Sequence, residues 1–181
     1  MVTKGQLDKF FDDGEISYEE NVDNLSPNQF VIMNAMESNT SGLAIFSHDK
    51  LKSLRHEPGT MMSNFQAKNK EQKFAVEVLL DKSVELVTLT GLAGSGKTYV
   101  ALMAGLDGLQ EGRYSRIVIS RSIQPVGRDI GFLPGDVGEK MTPWMAPIMD
   151  NFRAMMGDKD LTYFQIMMDK GELEVAPLSF I

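Results

Sequence analysis

Gly91-Leu-Ala-Gly-Ser-Gly-Lys-Thr98 decides how this chain is read. It matches the phosphate-binding pattern GxxxxGK[ST]. It lies between an apolar, β-branched run, Glu85-Leu-Val-Thr-Leu-Thr90, and a helix-forming run that begins Thr98-Tyr-Val-Ala-Leu-Met-Ala104. Strand, glycine loop and helix are the context in which the pattern works. Small residues let consecutive backbone N–H groups curve round a phosphate, and the amides at the helix start add the positive end of a dipole. Lys97 then reaches the β- and γ-phosphates and is the candidate catalytic residue, while the Thr98 hydroxyl is the candidate Mg²⁺ ligand. The expected nucleotide-binding set is Gly91, Leu92, Ala93, Gly94, Ser95, Gly96, Lys97, Thr98 and the next residue, Tyr99. A full match by chance is expected roughly once in a hundred chains of this length, before the flanking strand and helix are counted.

Upstream of the loop, Gln72 falls on an amphipathic helix expected over Lys68 to Leu80, whose apolar residues are Phe74, Val76, Leu79 and Leu80. A Gln amide can pair at two points with N6 and N7 of adenine, a pattern that guanine does not present. ATP is therefore the expected nucleotide, and no guanine-reading [NT]KxD signature follows. Downstream, Arg116-Ile-Val-Ile-Ser120 reads as a second buried strand, which after a strand–helix unit implies a parallel sheet. Arg121 follows that strand, at the carboxyl edge where open α/β sheets bind their ligands. Arg128 lies in a Gly/Pro-punctuated loop over residues 125 to 143, and loops that long are usually functional. Either arginine could follow a nucleic-acid backbone or stabilise a γ-phosphate on a neighbouring subunit. Two helices, around Pro143 to Met156 and Leu161 to Lys170, and a last strand over Glu172 to Leu178 complete the reading. No hydrophobic strand after Thr98 ends in an acid that could hold the metal's water shell and orient an attacking water. The chain is thus expected to bind a nucleotide better than it hydrolyses one.

The first 65 residues read differently. Short β-like pieces at Gly14 to Tyr18, Asn28 to Met33 and Gly42 to Phe46 alternate with turn-rich links and suggest a small antiparallel module. The expected division is a β module and linker over residues 1–65 and part of an α/β nucleotide-binding domain over 66–181. Hydrophobic residues make up 43% of the chain, enough for a sizeable core, and the lack of any Cys excludes disulfides, thiol catalysis and Cys-ligated zinc. His48 and His56 have no metal-ligand spacing and read as exposed loop residues. With no secretory-type start and no apolar stretch near the ~20 residues of a membrane span, the expected setting is cytoplasmic. The net charge of −7 is uneven. Residues 1–25 are acidic, residues 50–73 carry six bases (Lys50, Lys52, Arg55, Lys68, Lys70 and Lys73), and residues 113–128 carry four arginines and no acid. Two basic islands leave room for a phosphate-tracking surface.

The combination of Asn69-Lys-Glu-Gln72, the glycine loop, Ile119-Ser-Arg-Ser-Ile-Gln-Pro-Val-Gly-Arg-Asp-Ile-Gly-Phe-Leu-Pro-Gly-Asp136 and Glu139-Lys-Met-Thr-Pro-Trp-Met-Ala-Pro147 resembles the PhoH family of P-loop ATPases. The likeness extends over about residues 26 to 181 and is strongest to the branch that carries an N-terminal PIN ribonuclease domain. It implies a RecA-like parallel sheet, here incomplete, preceded by the small β module. It implies ATP with Mg²⁺, and RNA or another single-stranded nucleic acid as partner. It also implies a homo-oligomeric ring, expected to be a hexamer, and helicase-like activity. Gln72 would contact adenine, Lys97 the phosphates and Thr98 the magnesium; Arg121 would fall in a nucleic-acid-contacting motif. Similar genes are common in bacteriophages. The family pattern goes on to an acidic Asp-Glu-Ala-Gln segment that is not in this sequence. Hydrolysis of ATP to ADP is therefore expected only when that segment is supplied, for instance by a separately encoded C-terminal half. The alternative is a non-catalytic nucleotide-binding or ring-assembly subunit of a split protein.

Overall fold

The structure, a computed structural model, describes residues 2–19, 23–36, 38–56, 65–121, 146, 148–155 and 161–177. The chain forms two compact units: Met1–Glu57 with Ala67–Ser83, and Pro58–Gln66 with Val84–Ile181. The long loop over 125–143, including Arg128, the Gly131 to Asp136 segment and Trp144 beside it, lies outside the described residues.

The first unit is built on an antiparallel sheet. Its strands are β1 (Glu15–Ser17), β2 (Phe30–Asn34), β3 (Ser41–Ser47) and β4 (Lys50–Ser53), in the spatial order β1-β4-β3-β2. Three of the four match the expected β pieces. The fourth, β4, follows β3 through a two-residue hairpin turn in which His48 and Asp49 both have positive φ, 52° and 55°. Alternation then divides the sheet into two faces. On one face Ile16, Met33, Ala44, Phe46 and Leu51 are buried with Leu7 and Phe10 of helix α1 (Lys4–Asp13). Full burial of two such side chains contributes about 1.5–3 kcal/mol each. On the other face lie Phe30, Ile32, Leu43 and Ile45, and there the Phe74 ring of helix α2 (Lys70–Leu80) stacks on Phe30 with centroids 4.4 Å apart.

Helix α1 was not expected. Its start is written in the sequence all the same: Thr3 and Gln6 form a capping box, and Gly14 closes the helix at φ 74°. Helix α2 opens on Asn69, whose side chain accepts from the Gln72 N–H. Its buried Glu77 accepts from the backbone N–H groups of Arg55 and His56, both at 2.9 Å, and lies 3.0 Å from Nδ1 of His56. His56 is consequently half-buried against α2, contrary to the expectation of an exposed loop residue.

The second unit contains helix α3 (Lys97–Gln110), strand β5 (Ile117–Arg121), helix α4 (residues 148–155), helix α5 (Leu161–Asp169) and strand β6 (Leu173–Pro177). β5 and β6 pair in parallel, with Ile117 opposite Leu173 and Arg121 opposite Pro177. The parallel α/β pattern thus holds, consistent with part of a P-loop core. Val100, Met103 and Leu106 of α3 are buried, and its Gly105 lies against the Ile117 side chain. Phe152 of α4 meets Phe164 of α5 edge to face at 5.1 Å, and Met167 fills the same helix pair's surroundings, fully buried.

One expected element is corrected. The run Glu85 to Thr90 is neither helix nor strand and forms no ladder among the described residues. Val87 and Leu89 are half-buried while Leu86, Thr88 and Thr90 are exposed, a period-two alternation. A strand is a pairing as much as a composition, and the described partner of β5 is β6.

Candidate phosphate-binding site

The glycine loop joins the run Glu85 to Thr90 to α3. Gly94 sits at φ 78° and Gly96, the N-cap of α3, at φ 86°, conformations that cost an L side chain about 1–2 kcal/mol. These two left-handed residues reverse the chain tightly enough to bring it straight into the helix. One short internal bond, from the Ser95 N–H to the Leu92 carbonyl at 3.3 Å, closes the turn.

Helices α1 and α2 both receive a side-chain cap; α3 receives none. The first-turn amides of a helix have no partner inside it, so at α3 they remain directed out of the helix end. They carry the positive end of the dipole, about half a unit charge. Between Leu86 and Leu106 the sequence has no acidic residue to oppose an anion there. Lys97 is half-buried, and its ammonium lies across the loop, donating to the carbonyls of Gly91 (2.9 Å) and Leu92 (2.8 Å) and to Oγ of Ser95 (3.3 Å). The loop thus brings a fixed cation and a set of outward amides together at one place, the kind of arrangement that suits an anion.

Thr98 is the second residue of α3 and is exposed. Among the described residues no group of three or more His, Cys, Asp or Glu could hold a metal by itself. Mg²⁺ is commonly held by one or two protein groups with phosphate oxygens and water completing the shell. Thr98 would be its protein ligand.

Tyr99 continues the first turn, and its ring stacks on Phe65 with centroids 5.6 Å apart and planes at 26°. Phe65 was not singled out in the sequence. Its only signal is an aromatic residue in a segment of linker composition.

Gln72 belongs to the first unit. Its Oε1 accepts from the Lys68 N–H at 2.8 Å, which orients the amide. Arg121 ends β5 and is paired through its backbone to Pro177. Arg128 lies outside the described residues. The basic island 113–128 is less free than its composition suggests: Arg113 is held by buried Asp107 and by Glu111, and Arg116 lies 3.4 Å from Glu174. No described helix is long and apolar enough to cross a membrane.

The family described as PhoH-like protein matches residues 64–181. The chain is 39% identical over 160 residues to "Protein PhoH2" of Bacillus subtilis, which covers 86% of this chain and 36% of that protein. It is 39% identical over 118 residues to "Protein PhoH2" of Mycolicibacterium smegmatis, covering 64% of this chain and 26% of the relative. It is 30% identical over 115 residues to "Protein PhoH" of Escherichia coli, covering 64% and 32%. The chain therefore spans about a third or less of the length of these curated relatives. No solved structure matches it.

Proposed function

The chain belongs to the PhoH-like protein family, and from that premise we propose that it is the ATP-binding part of a PhoH-like ATPase that acts on RNA. One observation carries the reading: the Lys97 ammonium fixed over the loop that opens the uncapped α3. In this account the amides of Gly94 to Thr98 and the Lys97 ammonium hold the β- and γ-phosphates, and Gln72 reads the adenine edge. Mg²⁺ bound at Thr98 would neutralise charge on the phosphate oxygens. Hydrolysis to ADP needs in addition an acid that orients water, and the account assigns that acid to a segment outside this sequence. Arg121 and Arg128 are the proposed nucleic-acid contacts.

A second reading, a nucleotide-binding or ring-assembly subunit without turnover, is favoured by the run before the loop, which has no ladder partner among the described residues. There Leu86 is 85% exposed, as is Leu92 in the loop itself, and exposed apolar side chains suit association.

Turnover assays of the chain with Mg²⁺ and ATP, with and without single-stranded RNA, separate the two. ATP bound but not turned over, with RNA-stimulated turnover gained on adding a polypeptide that carries the acidic segment, supports the ATPase reading. Turnover by the chain alone that Lys97→Ala abolishes would contradict the dependence on a supplied acid. A ring that forms with ATP and never gains turnover would favour the second reading.

A further inference from the structure

Phosphate contacts leave the choice of base open, and the residue that follows the loop motif points to where a base goes. Lys97, Thr98 and Tyr99 are the first three residues of α3, so the Tyr99 ring leaves the helix at the end that presents its amides to phosphate. The next residue, Val100, is 1% exposed and fixes that turn in the unit's interior. Tyr99 is half-buried, at the boundary between that interior and the exposed loop. Phe65 is half-buried too and lies outside any helix or strand, and its ring lies nearly parallel to that of Tyr99.

We propose that the stacked Phe65–Tyr99 pair is the platform on which the base of the bound nucleotide lies. The inference rests on the phosphate-site reading above and extends it to a group that the loop cannot recognise. A base presents a flat π-face whatever its edge, and stacking on an aromatic ring needs no hydrogen-bond partner. A ring already stacked on a second ring is held in orientation before the ligand arrives, which lowers the ordering cost of binding. The division of labour is then simple. Lys97 and the loop amides attract the triphosphate, and the ring pair adds the affinity that separates a nucleotide from inorganic polyphosphate.

Titration calorimetry with two ligands, ATP and inorganic tripolyphosphate, each with Mg²⁺, tests this on the whole chain. The wild type is expected to bind ATP at least tenfold more tightly than tripolyphosphate. Tyr99→Leu and Phe65→Leu should each weaken ATP by about tenfold, the scale of one lost base–ring stack, and leave tripolyphosphate affinity unchanged. Tyr99→Phe, which keeps the ring, should bind both ligands as the wild type does. Unchanged tripolyphosphate affinity also reports that the variants are folded. Equal ATP affinity in wild type and Leu variants would overturn the platform. So would parallel loss of both ligands in the Leu variants, which would make the pair a packing contact beneath the loop. A wild type that binds neither ligand would overturn the phosphate site itself, a separate result from failure of the platform.

Discussion

The two units treat their polar groups and edges in opposite ways. In the first, each helix start is covered by a side chain, Thr3 at α1 and Asn69 at α2, and each strand has a neighbour. Its buried acid, Glu77, accepts two backbone N–H groups and lies 3.0 Å from a histidine ring nitrogen. In the second, α3 starts without a side-chain cap, and among the described residues the run before it has no ladder and the buried Gln110 amide has no hydrogen-bond partner. The first unit uses its sequence to satisfy itself. The second leaves donors and apolar surface directed outward, as the proposed function would need.

That contrast can be broken by mutation. The largest effect belongs to the first unit's core: Phe10→Ala, at a side chain 1% exposed, is expected to cost about 3–5 kcal/mol in a urea melt. Leu86→Ser, at a side chain 85% exposed, should change stability by no more than about 0.5 kcal/mol. A loss near that of Phe10→Ala would show that Leu86 is packed in the folded chain. The buried polar groups give a sharper pair. Glu77→Met strands the N–H groups of Arg55 and His56 and should destabilise by about 2–3 kcal/mol. Gln110→Met removes an unsatisfied amide and should be neutral or stabilise by about 1 kcal/mol. A clear loss from Gln110→Met would mean that the amide has a partner and that the units do not differ in this respect.

The caps come next in size. Thr3→Ala and Asn69→Ala should each cost about 1 kcal/mol, read as shifts in the denaturation midpoint. The smallest effect is electrostatic. The Ser83 hydroxyl and then its backbone N–H donate to Asp81 and hold that carboxyl below its ordinary value. A depressed acid contributes stability above its unfolded pKa and loses it as pH falls through the folded one. Ser83→Ala should therefore lower the melting temperature slightly at neutral pH, and the difference should vanish in strong acid. A difference that persisted in acid would place the effect of Ser83 elsewhere.

How much of this was legible in the sequence follows the same divide. The glycine loop, α2, α3, β5, α5 and β6 were readable because each pairs a periodic pattern with punctuation, such as Gly96 before α3 and Gly171 before β6. β4 was not, because its hairpin turn uses His48-Asp49 where Asn-Gly is the usual signal for two positive φ values. α1 was missed although its capping box is present, because residues 1–25 were read for their acidic charge and not for the three-residue spacing that sets Leu7 and Phe10 on one helix face. The role of Glu77 could be read only as an acid among apolar helix residues, since its partners lie 21 and 22 residues away in the chain. Phe65 is legible only once the fold sets it against Tyr99. For the run Glu85 to Thr90 the apolar, β-branched composition suggested a strand and no ladder forms there among the described residues, because composition records what a strand can bury and not which strand lies beside it.

The central claim is that Gly91–Thr98 binds a nucleotide through Lys97, and ATP titration of the wild type beside Lys97→Ala, with Mg²⁺ present, tests it most directly. The account predicts saturable binding by the wild type and at least a hundredfold weaker binding by the variant, with the fold of both unchanged by circular dichroism. Equal binding by the two, or none by a folded wild type, would contradict it.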